Sequence, residues 1–159
     1  MAARIVNVYT ENLPALRLIG KRCLCEPGPG FVAKWDEWLE NDWFDQLEKL
    51  APVPENRGAY LGATHGDEYW IGMLFLPGTS APHGFEFVEN PATKYAVFQF
   101  EGRKDKELLG EDGINLVLEE MRKRGLVPSE CGLCIERYNR PIAPDKAGKV
   151  LLECLYAIQ

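Results

Sequence analysis

Phe31, Trp35, Leu39, Trp43, Leu47 and Leu50 recur every three or four positions, the spacing of one helical stripe, and predict a helix over 31–50. Ile114, Val117, Leu118 and Met121 predict a second stripe within 105–125. Glu119 with Lys123 and Glu120 with Arg124 support that helix as pairs four apart, the Arg122–Arg124 run suits its C-terminal dipole, and Gly125 is a natural cap. The remaining apolar runs are short and read as strands: 16–25, 59–63, 68–76, a short strand and then a second from Lys94 within 85–100, 132–139, and 148–159. The turn "THGD" makes a hairpin of 59–63 and 68–76, and "EPGPG" and "APVPENRG" interrupt the elements beside them. Strand, helix, strand, strand thus occurs twice, over about 1–80 and 84–159. The expectation is one α+β domain spanning 1–159. It consists of two units related by a pseudo-twofold axis, giving two antiparallel sheets side by side, each with a packed helix. A ligand groove that neither half can close alone would lie between them.

Period two sorts the strand residues into faces. In "LCIERY", Leu133, Ile135 and Arg137 point one way, and Cys134, Glu136 and Tyr138 the other. A carboxylate between a thiol and a phenol invites a question about what that face meets. Tyr69 and Trp70 alternate, so one of the two rings lines whichever face is not packed on a helix. Gly72 shares the Trp70 face and would leave room beside that ring for a flat molecule. Phe98 and Phe100 share a face. Trp35 and Trp43 read as core, and Trp38 flanks their stripe as either a groove lid or a core rim residue.

Composition narrows the class. The chain has 159 residues, 46% hydrophobic and 26% charged, enough for one soluble domain with a core. The net charge of -6 argues against a nucleic-acid surface and mildly favours cationic or neutral partners. The opening "MAARIVNVYT" lacks the apolar core of a signal peptide, and no apolar run is long enough to cross a membrane. Five cysteines, an odd number, then predict free thiols in a cytoplasmic protein. Cys23 and Cys25 with "CGLC" lack the turn geometry of a zinc site. His65 and His83 are the only histidines, and nothing singles out a haem ligand. No metal and no cofactor are expected.

The stretch "GFEFVENPATKYAVFQFEG" (84–102) resembles the central signature of the GyrI-like effector-binding family, and "IERYNRPIAPDKAGKVLLECLYAI" (135–158) is similar to its closing hairpin. "EYWIGM" (68–73) also fits, so the resemblance runs over essentially the whole chain. The chain departs where "CGLC" stands in place of a Pro common before the Glu-x-Tyr strand, and where Ala-Ile ends the last strand in place of Pro-Ile. The family comprises small-molecule-binding domains of multidrug-sensing regulators, stand-alone proteins named for gyrase inhibition, and hydrolases that open the cyclopropane of DNA-alkylating toxins. The resemblance implies that Glu136 lies in the ligand pocket with Tyr138, and that Glu153 is the second strand's Glu.

A carboxylate in an apolar groove costs several kcal/mol unless a partner meets it. A cationic ligand supplies that partner, and aromatic walls add on the order of 0.5–2 kcal/mol per ring. The competing reading pairs Glu136 with Arg137 or Arg140 at a sheet edge. The favoured expectation is a cytosolic binder of flat hydrophobic, often cationic aromatics. Its ligand set would be Glu136, Tyr138, Glu153, Trp70, Trp38, Tyr69 and Phe98, with Glu136 and Glu153 on adjacent strands facing one groove. The alternative is the hydrolase, with Glu136, Glu153 and Tyr138 as its catalytic group and a Glu activating water. The domain fills the sequence from its start, leaving no room for a preceding helix-turn-helix, so direct nucleic-acid binding is not expected. A gyrase contact has no support in the residues.

Overall fold

A computed structural model describes residues 4–24, 29–51, 53–54, 58–102, 111–138 and 150–159. In chain order the elements are β1 (Arg4–Leu13), β2 (Leu16–Cys23), α1 (Pro29–Glu40), α2 (Trp43–Leu47), β3 (Tyr60–His65), β4 (Glu68–Phe75), β5 (Glu86–Asn90), β6 (Thr93–Gly102), α3 (Glu111–Arg124), β7 (Cys134–Tyr138) and β8 (Val150–Ala157). Cys25 and residues 139–149, Arg140 among them, lie outside the described residues.

The α+β class holds, but the two expected sheets are one. Eight strands form a single antiparallel sheet in the order β1-β6-β8-β7-β3-β4-β2-β5. At the middle of that sheet β3 pairs with β7, Tyr60 with Tyr138, Gly62 with Glu136 and Thr64 with Cys134. An unpaired strand edge presents a row of unmet N–H and C=O groups, and pairing the two edges removes both rows at once. Strand β1, which the sequence pattern did not predict, covers the outer edge of β6.

The long first helix is two. Asp42 takes φ 54, the left-handed region, and breaks the backbone between α1 and α2. The break resets the helical phase. Phe31, Trp35 and Trp38 are buried before it, and Phe44 and Leu47 after it, while Leu39 is 45% exposed. Helix α3 buries Val117 and Met121, and the predicted stripe residues Ile114 and Leu118 face outward. Among the described residues, no helix is long and apolar enough to cross a membrane.

The sheet has an apolar cluster on each face. One gathers Ile71, Phe98, Tyr69 and Tyr138 with residues of all three helices, Trp35, Phe44 and Val117 among them. The other gathers Leu16, Leu61, Trp70, Tyr95, Ile135 and Leu155. Glu136 therefore stands at the middle of the sheet, beside the β3–β7 ladder, on the helix-covered face.

Candidate ligand-binding site

Alternation along β7 puts Cys134, Glu136 and Tyr138 on the helix side. Across the ladders Glu136 faces Gly62 on β3 and Cys154 on β8. Gly62 is the residue that makes the site: a Cβ there would overlap the Tyr69 hydroxyl and come within 3.3 Å of Glu136 Oε2. The missing side chain lets Tyr69 reach across β3 and donate to Glu136 Oε2 at 3.2 Å. The same hydroxyl accepts the Trp35 indole N–H at 2.9 Å. The Tyr69 ring is stacked on Phe31, with centroids 3.6 Å apart and planes within 8°. Trp35 meets Tyr138 edge-on at 4.9 Å.

Glu136 keeps some solvent-accessible surface yet is surrounded by rings and thiols. Among the described residues no basic side chain forms an ion pair with it, and its hydrogen-bond partner is Tyr69. Burial pushes its carboxyl from the ordinary 4.5 up to about 7, with the Tyr69 hydrogen bond opposing the shift. The neighbouring thiols are held protonated for a related reason. Burial raises Cys134 to about 12 despite a hydrogen bond with Tyr156, and raises Cys154 well above its ordinary value, with the Glu136 charge adding to it. The Tyr138 hydroxyl is buried and has no hydrogen-bond partner among the described residues. The site thus holds one carboxyl poised to ionise near neutrality, one orphaned hydroxyl and several ring faces.

Two expected members stand elsewhere. Glu153 does not share a groove with Glu136. The β7–β8 register pairs Glu136 with Cys154 and Arg137 with Glu153, so Glu153 lies on the opposite face. There Arg137, 1% exposed, donates from Nε to Glu153 Oε1 at 2.8 Å and holds Glu11 through both terminal nitrogens at 3.0 and 3.1 Å. Tyr9 and Gln99 donate to Glu153 Oε2 at 2.7 and 2.9 Å. Burial alone would raise this carboxyl, but the Tyr9 hydrogen bond, the Arg137 charge and the Gln99 bond bring it down to about 2. Repulsion between the two glutamates is therefore not what raises Glu136; desolvation is. Arg137 is committed to Glu153 and Glu11, which also removes it as the edge partner of Glu136.

Trp70 is the second displaced member. It alternates with Tyr69 and is buried on the Glu153 side with Leu61, Ala63 and Leu74. The space beside it that Gly72 was expected to leave is taken by β2: a Cβ at Gly72 would overlap the Ile19 carbonyl and lie 2.9 Å from Gly20 Cα. Tyr69, Tyr138 and Phe98 are on the Glu136 face, with Phe98 fully buried and edge-on to Tyr156 at 6.3 Å. Trp38 is buried against Trp43, Phe44 and Phe85. The sequence reading passed over Phe31 and Trp35 as plain core and did not single out Gly62. The Phe31–Trp35 spacing of four was the available signal for one shared helix face. Cys131, Cys134 and Cys154 are free thiols, and among the described residues no cluster of three or more His, Cys, Asp and Glu could hold a metal.

No family model matches the sequence, and no curated protein matches it. Solved structures do. SAV2435 bound to tetraphenylphosphonium is similar with a TM-score of 0.67 at 14% identity, over 97% of this chain and 94% of that one. The EcmrR C-terminal domain is similar with a TM-score of 0.68 at 12% identity, over 96% and 97%. A putative transcription regulation protein from Staphylococcus aureus MU50 matches at 0.62 and 14% identity, over 96% and 98%. In the EcmrR–DNA complex, the chain matches 57% of EcmrR. At these identities the likeness establishes the fold, and it is the GyrI-like fold that the sequence motifs resemble.

Proposed function

We propose that this protein binds hydrophobic, often cationic aromatic small molecules on the helix-covered face of its sheet, as a cytosolic drug- or toxin-sequestering or sensing protein. The observation that carries the reading is Glu136: a mostly enclosed carboxyl among Tyr69, Tyr138 and Trp35 with no basic partner among the described residues. An organic cation supplies the missing charge, and the ring faces supply stacking and cation–π attraction. The orphaned Tyr138 hydroxyl adds a donor for a polar group on the ligand or for a bridging water. The tetraphenylphosphonium held by SAV2435 is a ligand of this chemical class, which supports the reading. The strand order supports the duplication behind the site. With β7 beside β3, β8 and β6 follow on one side and β4 and β2 on the other. Two strand–helix–strand–strand units within one domain, related by a pseudo-twofold axis between β3 and β7, account for that order.

A second reading rests on the same carboxyl. A glutamate titrating near 7 is well placed to take a proton from water, so a hydrolase opening a strained cyclopropane remains the alternative. Its catalytic group would be Glu136 with Tyr69 or Tyr138, without Glu153. One experiment tests both: equilibrium dialysis of the protein against tetraphenylphosphonium and against a cyclopropane-bearing aromatic, followed by mass analysis. Stoichiometric retention of intact compounds supports the binder, a water adduct formed with turnover supports the hydrolase, and no uptake of either removes both.

A further inference from the structure

A cavity of about 280 Å³ lies between β2 and the first two helices, and Glu136 does not border it. Cys23 and Ile71 of the sheet, Trp38 and Trp43 of the helices, and Lys21 and Lys34 line it. The charges around it are unequally matched. Lys34 Nζ lies 3.1 Å from Glu37 Oε2, so the one carboxylate at the cavity already has its cation. Arg22 also borders the space, but its guanidinium is held by Glu68 and Glu86 at 2.9 and 3.0 Å. Lys21 has no carboxylate partner among the described residues. Its ammonium donates to the Gly84 carbonyl at 2.7 Å and stands over the rings of Trp43 and Phe85, at 4.3 and 4.7 Å from their centroids.

We infer that this cavity is a second binding site, for a small aromatic monoanion whose carboxylate or sulfonate meets Lys21. The ammonium has three hydrogens and spends one on Gly84, so donors remain for an anion. The carbonyl and the two rings hold it in place, so little side-chain freedom is lost on binding. Trp38 and Trp43, packed edge-on at 5.5 Å, form the aromatic part of the lining. The volume is at the small end for ligand pockets and suits one or two fused rings. A cation would meet Lys21 head-on, so this site and the Glu136 site select opposite charges within one chain of net charge -6.

The test uses 1-naphthoate, followed by calorimetry and by tryptophan emission. Wild type should bind it saturably, more weakly as salt rises. Lys21→Gln keeps a donor for the Gly84 carbonyl and removes the charge. It should weaken 1-naphthoate by about tenfold or more and leave the neutral 1-naphthamide nearly unchanged. Glu136→Gln should leave 1-naphthoate affinity intact, which separates failure here from failure at the other site. On wild type alone, 1-naphthylmethylammonium should not displace 1-naphthoate, a check that stands even if Lys21→Gln does not fold. No saturable binding to wild type, equal affinity in Lys21→Gln, or displacement by the cation would overturn the inference.

Discussion

The Tyr69 hydroxyl donates to Glu136 at 3.2 Å and accepts from Trp35 at 2.9 Å, so one oxygen ties helix α1, strand β4 and the central carboxyl of β7 together. The bond is the one interaction that opposes the desolvation of Glu136, and it fixes where the carboxyl points. It exists because Gly62 leaves the way open between the two side chains.

Tyr69→Phe removes that oxygen and keeps the ring on Phe31. The Trp35 N–H loses its Tyr69 acceptor, and a lost buried hydrogen bond costs about 0.5–1.5 kcal/mol. The Glu136 carboxyl loses its donor and should ionise at a higher pH than in the wild type. Denaturant unfolding and a carboxyl titration by NMR read the two effects. Unchanged stability together with an unchanged titration would remove Tyr69 from its positioning role.

Gly62→Ala drives a methyl into the space of the Tyr69 hydroxyl. Tyr69 is wedged against Phe31, so it cannot yield freely. Overpacking of this kind costs about 1–3 kcal/mol. Tyr69→Phe in the Gly62→Ala background should recover part of the loss, because the clashing atom is gone. A melting-curve cycle over the four proteins measures this, and strict additivity would contradict it.

The faces of β7 were legible from period two, since Glu136 separates from Arg137 in any strand. The placement of Glu153 was not. It depends on the offset between β7 and β8, and one residue of slip moves a side chain through the sheet. The segment 139–149 that joins them carries no register signal in its residues. The fused sheet was also hidden, because the β3–β7 ladder joins residues 70 to 78 positions apart. The helix break at Asp42 is a backbone event that the apolar spacing ran straight across. The GyrI-like likeness, the element order in most of the chain and the sidedness of Tyr69 against Trp70 were all readable, because each rests on local alternation or on motifs.

Glu153→Gln tests the separation of the two acids. It leaves Arg137 buried with Glu11 as its remaining carboxylate, and should cost about 3 kcal/mol. The Glu153 carboxyl is depressed to about 2, so its contribution is full above about 4.5 and lost as pH falls toward 2. The mutant should therefore lose stability at neutral pH and differ little from wild type near pH 2. Affinity for an aromatic cation, whose proposed site is on the other face, should stay within about twofold. A large loss of affinity in a folded Glu153→Gln protein would put Glu153 back in the ligand site.

Glu136 has the opposite sign. The folded chain holds its proton up to about 7, whereas an ordinary carboxyl gives it up at 4.5. Its effect on stability is therefore most favourable below about 4.5 and fades as pH rises through about 7, a change on the order of 3 kcal/mol. Glu136→Gln should flatten that part of the stability profile. Denaturant midpoints at half-unit steps from pH 4 to 8 measure it, and identical slopes in the two proteins would refute the assignment.

The central claim is that the Glu136 charge draws an aromatic cation, and calorimetric titration at pH 8 tests it most directly. Tetraphenylphosphonium and the neutral triphenylphosphine oxide would each be titrated into wild type and into Glu136→Gln, with melting curves as controls. The account predicts that the mutation weakens the cation by tenfold or more, about 1.4 kcal/mol, and changes the neutral compound by less than about threefold. Equal cation affinity in two folded proteins would contradict it.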